Sequence, residues 1–227
     1  MSPFWAETAI LQLAPGCLRV GGRSLPLAGD LSAALTALPA DLLPRGQRCR
    51  LVVDDGLLRY ALIRWPAGLG RGAERAAFVA HRLGEVHGIA APEWCWRVDP
   101  EPPPRPALAC AMPTALAAAV HALVRARGWR LAEFTGAFTH RYNQVRRRLK
   151  APLGALLVEG AGRQTLGLWR QGQWQAIRNQ SAGDPGAALN LLVGACGLGG
   201  EAGVLYGAGL AGPLPAGWQA VPLDGGA

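Results

Sequence analysis

Apolar residues recur along the chain in two patterns. Short apolar or alternating runs bounded by Gly, Pro or Asp are typical of strands, and longer stretches with an apolar residue every three or four positions are typical of helices. The short runs predict strands over residues 8–13, 17–20, 51–53, 57–65, 93–98, 107–112, 131–135, 153–159, 163–169, 173–178, 203–206 and 218–222. The periodic stretches predict helices over residues 31–37, 73–87, 113–127, 138–149 and 185–194.

The order of these elements predicts two α/β halves, each of which opens on an antiparallel meander of strands. We place the first half at residues 1–150 and the second, truncated half at residues 151–227. An alternative boundary lies near residues 97–107, where five prolines indicate an extended connector.

One local prediction is a β-hairpin over residues 51–65. The sequence Asp54-Asp55-Gly56 separates two apolar runs, and Asp before Gly is favoured in hairpin turns. The two neighbouring carboxylates could instead form a metal or catalytic pair. Adjacent side chains in a strand or turn point in opposite directions, however, so we expect a structural turn.

The composition describes a basic protein with enough apolar residues for a large core. Half of the 227 residues are hydrophobic, and the net charge is +8 with an isoelectric point near 10.1. Such a charge permits an acidic partner, which could be a nucleic acid, an anionic lipid or an acidic protein surface. The predicted helix over residues 138–149 carries Arg141, Arg146, Arg147 and Arg148. These residues are a candidate partner- or anion-binding surface, although a solvated helix face is the simpler interpretation.

Several kinds of chemistry are disfavoured by the sequence. The five cysteines are widely spaced without a C-x-x-C pair, and His81 and His87 are six residues apart, which does not place them on one helix face. The single lysine, Lys150, excludes a P-loop, and no serine lies in a G-x-S-x-G context. We therefore expect no metal site and no catalytic residues. No run of 18 apolar residues and no signal peptide is apparent, so we expect a cytoplasmic protein.

Three stretches together resemble a known group of proteins. They are LVVDDGLLRYALIRWP at residues 51–66, GAFTHRYNQVRRRL within residues 132–149, and LLVEGAGRQTLGLWRQGQWQAIR within residues 155–178. The helix with Glu74, Ala77 and His81 and the later Trp94 fit the same pattern. In order and spacing these stretches are similar to the PilM and GspL families, the actin-like proteins of type IV pilus assembly and type II secretion. The resemblance implies a degenerate actin-like (ribonuclease H-like) α/β fold of two halves with mixed sheets.

The resemblance also implies a nucleotide cleft between the halves. Glu159 and Gly160, followed by Thr165, lie where PilM has an Asp-Ile-Gly turn followed by a Thr, and Gly207 and Gly209 resemble an adenosine-binding loop. The chain departs from the pattern in two ways. A Glu replaces the Asp, and the hairpin over residues 8–20 has no acidic residue and carries a proline in its turn. We therefore expect a vestigial cleft without a cofactor, and the alternative is bound ATP with magnesium.

The function that the resemblance implies is that of a cytoplasmic scaffold or adaptor at the inner membrane. PilM-like proteins bind the short cytoplasmic tail of a membrane partner, and GspL-like cytoplasmic domains bind a motor ATPase. We expect partners of these two kinds, membrane-anchored or motor components of a pilus or secretion platform, with nucleotide hydrolysis lost. The alternatives are an active actin-like ATP-binding protein and a basic nucleic-acid-binding module.

Overall fold

The computed structural model describes residues 8–100, 104–210 and 212–223. The strands are β1 (Ala9–Ala14), β2 (Cys17–Val20), β3 (Arg23–Pro26), β4 (Arg48–Val53), β5 (Arg59–Ile63), β6 (Trp94–Val98), β7 (Ala107–Pro113), β8 (Arg130–Gly136), β9 (Leu153–Glu159), β10 (Arg163–Arg170), β11 (Gln173–Ser181), β12 (Gly203–Gly207) and β13 (Trp218–Pro222). The helices are α1 (Leu31–Thr36), α2 (Ala73–His87), α3 (Thr114–Arg127), α4 (Ala137–Val145) and α5 (Pro185–Ala195). Each predicted element has a counterpart here, and β3 is the strand that the sequence did not predict.

Two five-stranded sheets repeat one topology. The first has the order β3-β2-β1-β4-β8 and the second the order β11-β10-β9-β12-β13. In each sheet the first three strands form an antiparallel meander, and the next two strands of the sheet run parallel to the first strand of the meander. The expectation of two related halves opened by meanders is therefore confirmed. The boundary that we place after residue 150 stays a prediction.

The alternation of apolar and polar residues along the strands determines which face of each sheet is buried. In β1, Leu11 and Leu13 are fully buried whereas Gln12 between them is exposed. The buried face of the first sheet packs against α1 and α3, and α5 covers the second sheet through residues such as Leu189 and Val193. The open face of the first sheet is left to form one wall of a cleft.

A third sheet is formed by the part of the chain between β4 and β8, and we call it the inserted sheet. Its order is β5-β7-β6, all antiparallel, and α2 packs on one of its faces. The helices α2 and α3 end where predicted, because Gly88 and Gly128 adopt the left-handed conformation that ends a helix.

The predicted hairpin over residues 51–65 is wrong. Strand β4 pairs with β1 on one side and β8 on the other, so β5 has no free edge to join and pairs with β7 in the inserted sheet. Asp55–Leu57 forms a short 3-10 turn between the two sheets, and the Asp54 carboxylate accepts a hydrogen bond from the Gly56 N–H at its start. The Asp-Gly sequence therefore lies where the chain passes from the first sheet to the inserted sheet, and not in a hairpin turn.

The helix predicted over residues 138–149 is shorter in the structure. Helix α4 ends at Val145, and the Arg148 N–H donates to the Val145 carbonyl across a tight turn. The arginines at positions 146–148 therefore follow the helix instead of lying along its face.

Candidate functional site

The cleft between the two halves contains two adjoining cavities of about 330 and 340 Å³. Both are lined by Gln12, Val52, Ala137 and Glu159, which come from β1, β4, α4 and β9. The first extends toward the turns that follow β1 and β9, and the second extends along α4 toward Ala208. The cleft is thus formed by the open face of the first sheet, the start of α4 and the end of β9.

The predicted nucleotide residues lie in different surroundings. Glu159 and Gly160 are exposed and line the cleft, whereas Thr165 is fully buried. The Thr165 hydroxyl accepts a hydrogen bond from Asn179 Nδ2 at 2.9 Å and donates to the buried Asp55 carboxylate. Thr165 is therefore buried at the junction of the two halves and does not lie on the cleft surface.

The predicted adenosine loop lies beside the same cleft. Gly207 is buried at the end of β12, Gly209 is exposed with φ +61°, and Ala208 between them lines the second cavity. A Cβ on Gly209 would lie 4.0 Å from Glu159 Oε2. The structure therefore brings Glu159, Gly160 and the 207–209 loop together, and their role toward a nucleotide stays a prediction.

Asp54, which we predicted only as a turn residue, connects the two halves. Its Oδ1 accepts from the Gly56 N–H at 2.8 Å, and its Oδ2 accepts from the Ala161 N–H in the turn between β9 and β10, also at 2.8 Å. Gly160 lies so close to this carboxylate that a Cβ there would overlap Asp54 Oδ2. The sequence signal that could have indicated this role is an acidic residue directly after a buried parallel strand.

Asp55 lies at the centre of a buried polar network. It is only 4% exposed, and it accepts hydrogen bonds from the Tyr60 hydroxyl at 2.7 Å and from the Phe138 N–H at 3.1 Å. Asn179 Nδ2 donates to the Asp55 carbonyl at 3.1 Å. Burial raises the pKa of Asp55 to about 6, although the hydrogen bonds from Tyr60, Phe138 and Thr165 act in the opposite direction. The two aspartates do point apart, as expected.

The predicted arginine cluster is divided by the end of α4. Arg141 lines the second cavity of the cleft and donates to Gln144 Oε1 at 3.4 Å. Arg146, Arg147 and Arg148 are exposed beyond the helix, and Arg146 lines a different pocket, beside Asp99 and Trp174. Arg141 and Arg146 therefore line different pockets, and the binding role of the four arginines stays a prediction.

A pocket of about 420 Å³, which the sequence did not predict, lies between the inserted sheet and the rest of the first half. We call it the insert pocket. One wall is the shared face of β6 and β7, and the other wall comes from α3, β8 and α4. Its lining includes Cys95, Arg97, Leu108, Cys110, Met112, Ala117, His121, Phe134, Thr135 and Thr139.

Most of the insert pocket is apolar. His121 packs edge-on against Phe134 with ring centroids 5.7 Å apart, and Cys95 Sγ donates to the Met112 carbonyl at 3.6 Å. Burial raises the pKa of the Cys110 thiol to about 12, so that it stays neutral. Among the described residues, no group of three or more His, Cys, Asp or Glu side chains is placed to hold a metal ion.

No protein-family model and no curated protein matches the chain, whereas solved structures do. A Bacteroides thetaiotaomicron protein with an actin-like ATPase fold and unknown function has a TM-score of 0.56 at 12% identity, over 91% of this chain and 84% of that one. The cytoplasmic domain of EpsL, an inner-membrane component of the Vibrio cholerae type II secretion system, has a TM-score of 0.54 at 14% identity, over 95% and 90%. A chain of a PilM-PilN type IV pilus biogenesis complex has a TM-score of 0.56 at 18% identity, over 89% and 82%.

These likenesses show that the chain has the actin-like ATPase fold, as the resemblance in the sequence implied. Identities of 12–18% support the fold and not a shared activity. In the described part of the chain, the helices are too short or too polar to cross a membrane.

Proposed function

We propose that the chain is a cytoplasmic scaffold or adaptor of a type IV pilus or type II secretion platform and that it binds partner proteins at the inner membrane. The support is the fold that it shares with EpsL, an inner-membrane component of such a system, and with a protein of the PilM-PilN complex. Its partners are membrane-anchored or motor components of the platform.

The observation that carries this proposal is the insert pocket. Its volume of about 420 Å³ and its mostly apolar lining are typical of a concave binding site. Strand β6 is an edge strand of the inserted sheet and contributes Cys95, Trp96 and Arg97 to the lining. An extended segment of a partner can pair with such an edge and place alternate side chains in the pocket. Trp and Arg are also the residue types that contribute most to binding energy at protein interfaces.

Nucleotide hydrolysis is lost in this proposal, and no cofactor is required. The turn between β1 and β2 has no acidic residue for a metal ion, and Pro15 removes one backbone donor from it. Thr165 is buried at the junction of the two halves, and the Ala161 N–H is already bonded to Asp54. The alternative of bound ATP with magnesium has no such specific support. The nucleic-acid alternative has none either, because Arg141 and Arg146 line different pockets.

The test compares two substitutions on the same helix. Ala117 lines the insert pocket, and its neighbour Ala118 is exposed to solvent. Ala117→Trp should fill the pocket, and Ala118→Trp is the matched control. The probes are the purified cytoplasmic segments of the membrane-anchored and motor components from the same organism, titrated into the chain by calorimetry.

We expect one segment to bind the unmodified chain and the Ala118→Trp variant equally and to bind Ala117→Trp at least about 10-fold more weakly, the factor that about 1.4 kcal/mol of lost contact produces. Equal binding to all three proteins would remove the insert pocket from the proposal. Failure of every segment to bind the unmodified chain would refute the scaffold function itself.

A further inference from the structure

The Asp54 carboxylate crosses from the end of β4 in the first half to the turn after β9 in the second. Within its own half it accepts from the Gly56 N–H, and in the other half it accepts from the Ala161 N–H, with both distances 2.8 Å. Each carboxylate oxygen has one backbone donor. A charged group that bridges two backbone turns in this way forms a stronger contact than a neutral hydrogen bond.

The turn at residues 160–162 has the features of an anion-binding site. The Gly160 N–H is used inside the turn, where it donates to the Arg163 carbonyl at 2.9 Å, so the Ala161 N–H is the donor directed outward. Gly162 adopts φ +70°, a left-handed conformation that glycine accommodates in tight turns. Backbone N–H groups in tight turns of this kind bind anions.

Gly160 has no side chain at the point where the Asp54 carboxylate approaches the turn. The three atoms nearest to a Cβ built on Gly160 all belong to the Asp54 carboxyl group. Because the conformation of Gly160 is not left-handed, an alanine there has no backbone strain, and the Asp54 side chain is what excludes it. Gly160 therefore provides the space through which the carboxylate reaches the turn.

A second contact holds the same segment to the second half. Asn179 on β11 donates from Nδ2 to the Asp55 carbonyl at 3.1 Å and accepts at Oδ1 from Arg163 Nε at 2.5 Å. The segment that follows β4 is thus bonded to β11 and to the turn between β9 and β10.

We propose that Asp54 is a built-in anion, which occupies the anion-binding turn at residues 160–162 and holds the two halves together without a ligand. In the unmodified protein this turn is closed to free anions. When the carboxylate is removed, the turn becomes a site for a small anion such as formate or inorganic phosphate. The inference concerns the cleft and does not depend on the insert pocket or on the identity of any partner.

The first test is hydrogen exchange at the Ala161 amide. In the Asp54→Ala variant we expect exchange at residues 159–163 to be about 10-fold faster or more, which is the order of effect for losing a hydrogen bond to a charged group. Sodium formate at tens of millimolar should restore protection, whereas sodium chloride at the same ionic strength should not. The control is Asp184→Ala, because Asp184 also accepts from two backbone N–H groups, Gly186 and Ala187, but only within its own half.

Unchanged exchange at residues 159–163 in Asp54→Ala would overturn the proposal. So would the same acceleration in Asp184→Ala, since that would show a general loss of stability. Formate protection of the unmodified chain at this turn would also overturn it, because the turn would then be open.

A double-mutant cycle tests the same contact through stability instead of hydrogen exchange. Gly160→Ala should lower the unfolding midpoint in urea in the unmodified chain but have much less effect in the Asp54→Ala background, because the overlapping carboxylate is gone. Gly183→Ala is the matched control, as a Cβ there meets no atom within 4 Å. Equal effects of Gly160→Ala in both backgrounds would show that Asp54 does not occupy the turn.

Discussion

The buried carboxylate of Asp55 predicts a specific pH dependence of stability. Its pKa is raised from 3.8 to about 6 because it is removed from water between the three sheets. The folded state therefore binds a proton more tightly than the unfolded state does. Between about pH 4 and pH 6 the unfolded chain releases this proton before the folded chain does, so the free energy of unfolding falls as the pH rises.

The size of this pH-dependent change in unfolding free energy follows from the pKa shift of Asp55. A change of about two pKa units at about 1.4 kcal/mol per unit corresponds to about 3 kcal/mol. This contribution is fully present below pH 4 and is lost as the pH rises through 6. Asp55→Asn keeps an oxygen that can accept from the Tyr60 hydroxyl and the Phe138 N–H but cannot ionise. The variant should therefore lack this part of the pH dependence.

The assay is urea unfolding at pH 4, 5, 6 and 7, followed by tryptophan fluorescence, for the unmodified chain and for Asp55→Asn. The difference in unfolding free energy between the two should shift in favour of the variant by up to about 3 kcal/mol from pH 4 to pH 7. Asp30→Asn, which removes the charge of an exposed helix cap, provides the baseline. A difference that stays constant with pH, or that shifts in favour of the unmodified chain, would refute the reasoning.

Two further predictions concern the junction of the halves and the cleft. Phe138 is fully buried between Tyr60 and Trp174, with a ring-centroid distance of 5.9 Å to each. Phe138→Ala should therefore lower the unfolding free energy by about 3–5 kcal/mol in the same urea assay, and a loss below about 1 kcal/mol would contradict the packing described. Millimolar ATP with magnesium should leave the thermal midpoint unchanged, whereas an increase of several degrees would support the ATP-binding alternative and make Glu159→Ala the next variant to test.

The parts of this fold that could be predicted from sequence are those with local causes. Gly88 and Gly128 end α2 and α3 because each adopts a backbone conformation that other residues avoid, and this can be recognised in the chain itself. The meander that begins the second half was recognisable from its alternating runs and the turns between them. In both cases the interacting residues are close in sequence.

The errors come from interactions between distant residues. Asp54-Asp55-Gly56 satisfies the rules for a hairpin, but β4 takes its neighbours from β1 and β8, about 40 and 80 residues away in the chain. The contacts of Asp54 with Ala161 and of Asp55 with Phe138 likewise span 107 and 83 residues. The insert pocket exists only because two separately formed sheets meet, so no single segment of the sequence indicates it.

The two halves of this chain are joined by side chains that fill positions between them. Tyr60 of the inserted sheet contacts Phe138 on α4, and Phe138 contacts Trp174 of the second half. Trp174 packs against Trp169, and Trp169 stacks on Tyr206. One series of aromatic rings therefore runs from the inserted sheet into the second sheet. A Cβ on Gly167 would overlap Phe138, which shows how closely α4 approaches β10.

Opening the cleft would require Phe138 and Trp174 to separate and the Asp55 network to break, together with the contact between Asp54 and Ala161. Each of these steps exposes buried apolar surface or leaves a polar group without a partner, and both are costly. A protein that must open and close around a nucleotide would gain nothing from such contacts. These contacts instead favour a single fixed arrangement of the two halves.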